Sequence, residues 1–131
     1  MPDQRRPLII LAEDNVDWRR LLAAALELDG LRVVQVGTGA ELRDEVLSRA
    51  GAPDGPPDLV VTDVRMPTMT GLAAVAAIRA VDPGMPILFI TAFSDAWTRR
   101  EAARHGAMLL DKPVELRVVK RAVQAALRRN P

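Results

Sequence analysis

Short apolar runs alternate along this chain with longer stretches whose apolar residues recur every three or four positions. The short runs are PLIILAE (7–13), LRVVQV (31–36), DLVVTD (58–63), PILFIT (86–91) and AMLL (107–110). Each is apolar nearly throughout rather than alternating, the mark of strands covered on both faces. Between them the spacing predicts five helices. The first, at 16–29, carries Leu21, Leu22, Ala25 and Leu28 and stops at Gly30, a suitable residue just past a helix end. The second opens at Thr38, with Glu41 three residues on completing a capping box. Thr70 caps a third that runs through alanines to position 81. The fourth spans about 95–105 and ends at Gly106. The fifth, 114–129, follows Pro113, which is tolerated just inside a helix start. Strand and helix alternating five times predicts an α/β domain, an open doubly wound parallel five-stranded sheet, with functional groups gathered outside the strands' carboxyl ends. SRAGAPDGPP (48–57) falls at the opposite end and reads as a spacer.

Drawing the strands also fixes which residues stand at those carboxyl ends. Glu13 and Asp14 follow the first strand, Asp63 the third, Thr91 the fourth and Lys112 the fifth. Three carboxylates crowded on one edge repel one another and attract a hard divalent cation with oxygen ligands, of which Mg²⁺ is the expected one. Such a metal draws a phosphoryl oxygen, Lys112 neutralises further charge, and Thr91 donates a hydrogen bond. Asp63 is then the nucleophile, because a carboxylate can attack phosphorus to give an acyl phosphate.

Composition narrows the picture. At 131 residues, 49% hydrophobic and 27% charged, the chain has the makeup of one globular domain, expected over 1–131 with its core at about 8–127. The longest uncharged stretch, from 66 to 78, is broken by Pro67 and Gly71, which excludes a spanning helix, so no membrane partner is expected. No cleavable leader pattern is visible, and the absence of cysteine excludes disulfides and thiolate metal sites, which makes a cytoplasmic location the expectation. A net charge of +1 does not by itself imply nucleic acid, and no recognition helix accompanies the late arginines.

The four motifs together resemble the receiver domain of bacterial two-component response regulators, from about 8 to 127. EDN (13–15) resembles the family's acidic pair, DVRMPTMTG (63–71) its phosphoacceptor loop, and TA (91–92) and KP (112–113) its remaining signatures. The resemblance implies a flavodoxin-like fold with strand order 2-1-3-4-5. It implies that Asp63 takes a phosphoryl group from a sensor histidine kinase or phosphotransfer protein. Asp14, Asp63 and the backbone carbonyl of Arg65 would hold Mg²⁺, with Glu13 acting through water. It further implies a cis bond before Pro113, and an output face on helix 4, strand 5 and helix 5 for a target protein or a second copy. The chain's only chemistry would be this self-phosphorylation and slow hydrolysis, not turnover of a substrate. That the chain stops just past the last helix suits a stand-alone regulator and equally a receiver cut from a longer protein.

Two positions depart from the family pattern. Leu109 stands where a tyrosine or phenylalanine is usual, three residues before the lysine, so the inward swing of an aromatic is not carried over. GAMLLDKP (106–113) is one residue shorter than the usual glycine-to-lysine spacing. Arg65 puts a cation beside the site and is expected to alter phosphoryl lifetime. Arg65 also counts against the first rival, an aspartyl-phosphate phosphatase of the haloacid dehalogenase type, which needs an aspartate two residues after its nucleophile. GTGAEL (37–42) has too few glycines for a dinucleotide site. A third rival, an interaction module not regulated by phosphorylation, is kept alive by Leu109.

Blander readings fit several other residues. Glu13 and Asp14 on their own would cap the first helix. His105, the one histidine, sits at a helix end beside Gly106, where a cation is favourable, and is expected to have no catalytic part. Trp18 and Trp97 read as packing or rim residues. Arg99, Arg100, Arg104, Arg117, Lys120, Arg121, Arg128 and Arg129 mark helices 4 and 5 as a solvated face or a docking one.

Overall fold

The computed structural model describes residues 6–128. Five strands, β1 (Leu8–Ala12), β2 (Arg32–Val36), β3 (Leu59–Thr62), β4 (Ile87–Thr91) and β5 (Met108–Asp111), form one sheet in the order β2-β1-β3-β4-β5. Every pairing is parallel. The helices that connect them are α1 (Val16–Leu28), α2 (Gly39–Ser48), α3 (Gly71–Val81), α4 (Ala96–Arg104) and α5 (Leu116–Arg128). The expected α/β doubly wound, flavodoxin-like sheet and its order are thus present. Arg129 lies outside the described residues.

Alternate residues of the buried strands supply two separate cores, as the two-residue period of a strand requires. Leu8, Ile10, Val60, Ile87 and Phe89 pack with α2 and α3 on one face, and Ile9, Leu11, Val61, Leu88 and Ile90 with α1 and α5 on the other. All three central strands are buried along their length.

Side-chain caps start four of the helices. Asn15, Thr38, Thr70 and Asp95 accept from the N–H three residues on, at the heads of α1, α2, α3 and α4. The capping box at Thr38 is displaced by one residue, because the Glu41 carboxylate accepts from Gly37 N–H at 2.8 Å rather than from Thr38 itself. Gly30 and Gly106 follow α1 and α4 at φ +87° and +66°, conformations glycine takes without strain.

The start of the last helix needs correction. The chain makes a turn through the cis Lys112–Pro113 bond, Val114 packs onto the α1/α5 core, and Glu115 offers the first helical carbonyl, to Val119 N–H. The helix therefore begins at Leu116, two residues later than expected, with Pro113 outside it. The 49–58 connection joins the end of α2 to the start of β3, which puts it at the strands' amino edge. Among the described residues no helix is long and apolar enough to cross a membrane.

Candidate functional site

Parallel pairing lays the ends of β1, β3, β4 and β5 side by side, so residues far apart in sequence meet at the carboxyl edge. Asp63 N–H donates to Ala12 carbonyl and Glu13 N–H to Val36 carbonyl, both at 3.1 Å, which continues the ladder one residue past β1 and β3. Both side chains are buried although charged, with Glu13 3% and Asp63 8% exposed. Burial of that kind is costly unless the charge is paired. Lys112 supplies the pairing: its Nζ donates to Glu13 Oε1 at 2.8 Å and to Asp63 Oδ2 at 2.9 Å.

The remaining carboxylate oxygens are held by backbone. Asp63 Oδ1 accepts from Val64 N–H at 2.6 Å and more weakly from Arg65 N–H at 3.3 Å, while Glu13 Oε2 accepts from Asn15 N–H at 3.0 Å. Burial pushes the Glu13 carboxyl above its ordinary value, against the opposing pull of Lys112 and the Asn15 N–H. Burial alone would depress Lys112, but the hydrogen bonds and charges of the two carboxylates outweigh it and hold the ammonium above its ordinary value. The site is thus a buried pair of carboxylates bridged by one cation, which leaves it one negative charge in excess.

Asp14 completes an acidic cluster. Glu13, Asp14 and Asp63 each have a ligand atom within 4.8 Å of the others. Three oxygen donors on a largely preformed edge suit a hard dication such as Mg²⁺. The capping alternative for the acidic pair does not hold, because Asn15 caps α1 and leaves Asp14 exposed at the mouth.

Thr91 is fully buried at the end of β4, and its carbonyl accepts from Lys112 N–H at 2.8 Å. Its hydroxyl accepts from Phe93 N–H at 3.0 Å. The Arg65 side chain is exposed and lies over the Phe93 ring, its guanidinium carbon 4.1 Å from the centroid. The loop carrying Asp63 is closed by Gly71, whose N–H donates to Val64 carbonyl at 2.7 Å. A Cβ at Gly71 would stand 1.9 Å from the Asp63 carbonyl oxygen, so this approach requires glycine.

The remaining expectations divide. Leu109 is half-buried against the α2/α3 core opposite Phe89, and the short Gly106-to-Lys112 spacing still pairs Asp111 with Thr91. His105 is the C-cap of α4, at the edge away from Asp63, and its carbonyl accepts from Arg79. Trp18 lines a shallow groove of about 410 Å³ with Asn15, Ala92, Lys112, Pro113 and Val114, whereas Trp97 is exposed on α4. Of the late cations, Arg99 pairs with Asp111, Arg104 with Glu101, Arg117 with Glu115 and Lys120 with Asp29.

Two contributors escaped the sequence reading. Arg19, on α1, donates to the Glu13 carbonyl at 3.0 Å and to Gln35 at 3.2 Å, tying the acidic loop to β2. Phe93 had a usable signal: it stands two residues past Thr91 as Arg65 stands two past Asp63, on neighbouring parallel strands.

Comparisons with known proteins agree with this geometry. The model of the response regulator receiver domain matches residues 9–124. Regulatory protein LuxO of Vibrio vulnificus is 34% identical over 120 residues, covering 91% of this chain and 25% of that protein. Transcriptional regulatory protein ZraR of Salmonella typhimurium is 34% identical over 124 residues, with 91% and 26% covered. The chain thus spans about a quarter of the length of these curated relatives. The structure of the non-phosphorylated HemR receiver domain from Leptospira biflexa superposes with a TM-score of 0.83 at 31% identity, covering 93% of this chain and 94% of that one. A match that runs from β1 into α5, over a sheet of this order with this acidic edge, leaves one conclusion: the chain belongs to the response regulator receiver domain family.

Proposed function

We propose that this chain is a phosphorylation-operated signalling switch whose phosphoacceptor is Asp63. The observation that carries the reading is the convergence of buried Glu13 and Asp63 on the single ammonium of Lys112, three groups set one residue past the ends of three strands. A carboxylate oxygen of Asp63 attacks the phosphorus of a phosphohistidine on a sensor histidine kinase or phosphotransfer protein. The new O–P bond forms as the P–N bond breaks, and the leaving imidazole nitrogen takes up a proton. Lys112 moves its hydrogen bond from the carboxylate to a phosphoryl oxygen, and the Thr91 hydroxyl donates to another.

Glu13, Asp14, Asp63 and the Arg65 carbonyl are the groups that would hold Mg²⁺, which when bound offsets the negative charge of the incoming phosphoryl group. Glu13 is the most buried of the carboxylates and already held by Lys112, which suits the indirect role expected of it. The α4–β5–α5 face, rich in arginine, is the proposed surface for a downstream protein or a second copy.

Intact-mass spectrometry after incubation with Mg²⁺ and acetyl phosphate tests the reading. One base-labile phosphoryl adduct is expected on the wild type and none on Asp63→Asn. A folded wild type that gains no adduct would overturn it and favour an interaction module that works without phosphorylation.

A further inference from the structure

Two side chains of the carboxyl-edge loops that could meet a phosphoryl group, those of Thr91 and Arg65, are engaged with one residue, Phe93. The Thr91 hydroxyl accepts from Phe93 N–H at 3.0 Å, and the Arg65 guanidinium lies 4.1 Å from the Phe93 ring centroid. Arg65 is also rooted at the acceptor, since its N–H is 3.3 Å from Asp63 Oδ1. Phe93 is 47% exposed and lies outside both cores, so its position depends on these restraints rather than on packing.

We propose that Arg65 is a phosphoryl-binding residue parked on the Phe93 ring, and that phosphorylation of Asp63 moves its guanidinium from ring to phosphoryl and frees Phe93. The inference rests on the reading of Asp63 as phosphoacceptor. In this proposal the guanidinium leaves the ring in order to bring its N–H fork onto the phosphoryl group. Cation–π attraction at an exposed ring is at the weak end of its range, whereas an arginine–phosphoryl contact is charge-assisted and commonly bidentate. The dianion therefore wins the guanidinium. A Thr91 hydroxyl that turns to donate to the same group gives up Phe93 N–H, so one event removes both restraints on the β4–α4 connection. Leu109 has no ring to report the change, and Phe93 takes that part.

The chain holds two phenylalanines and no tyrosine, which gives the test an internal control. Protein labelled with 4-fluorophenylalanine should show two ¹⁹F resonances, one from exposed Phe93 and one from fully buried Phe89. With Mg²⁺ and acetyl phosphate, the Phe93 resonance should move while that of Phe89 stays nearly fixed. Unphosphorylated Arg65→Ala should already show Phe93 displaced toward the phosphorylated position, and its adduct should hydrolyse severalfold faster because water is no longer kept off the phosphoryl group. Arg65→Lys, which keeps the charge but loses the fork, should fall between. An adduct seen by mass with an unmoved Phe93 resonance would overturn the inference and leave Asp63 as phosphoacceptor. So would an Arg65→Ala protein with wild-type spectrum and lifetime. No adduct on folded wild type removes both readings, and the mass measurement separates that outcome from the others.

Discussion

Lys112 holds two carboxylates that water has largely left, and that makes it the residue most exposed to test. Lys112→Met keeps the stem and removes the charge, leaving Glu13 and Asp63 buried without a partner. The expected loss is about 3 kcal/mol, the low end for breaking a buried pair because Lys112 is partly exposed. Urea unfolding measures it, and Mg²⁺ should restore part of the loss in the variant by binding the orphaned carboxylates. The pH dependence follows the same pair. The folded value of Lys112 is raised above 10.5, so its contribution is complete below 10.5 and is lost as pH rises through the raised folded value. Lys112→Met should lack that alkaline decline. The background is low, since the chain has no tyrosine and no cysteine, and Lys120 is its one other lysine.

At the scale of elements, Thr70 both caps α3 and ends the loop that carries Asp63. Its hydroxyl accepts from Ala73 N–H at 3.0 Å, so Thr70→Ala should cost about 1 kcal/mol. Thr70→Asp should hold or gain stability, because aspartate caps as well and adds a favourable charge at the helix head. Shifts in the urea midpoint at constant slope decide both. This cap was legible in the sequence because its signal is local, a hydroxyl just ahead of an apolar periodic run. The strands were legible for a related reason: burial on both faces leaves few polar residues to blur them. Pro113 misled the reading of α5, since proline suits both the first helical turn and the loop before it, and the choice is made by Val114 docking on the core. The Arg65–Phe93 stack lies between two loops, and nothing local to either names the other.

Across the whole molecule, the close approach of α2 to the head of α3 depends on a missing side chain. A Cβ at Gly39 would lie 2.0 Å from Met69 carbonyl oxygen and 2.8 Å from that of Thr70, whereas one at Gly51 meets nothing within 4 Å. Gly39→Ala should therefore destabilise by roughly 1–3 kcal/mol, the range of overpacking, as backbone must move. Gly51→Ala should be neutral or slightly stabilising. Thermal unfolding of the pair followed by far-UV circular dichroism checks the contrast, and equal midpoints would mean the two helices separate at no cost.

The Lys112–Glu13 contact joins residues 99 positions apart, and the Lys112–Asp63 contact residues 49 apart. A ribosome must therefore release the chain as far as Lys112, just past the fifth strand, before the acidic edge acquires its cation. Until then Glu13 and Asp63 have no reason to lie together in a dry pocket. The pocket thus closes only once the fifth strand is in place, and a chain truncated before that strand lacks the cation that pairs its acidic edge.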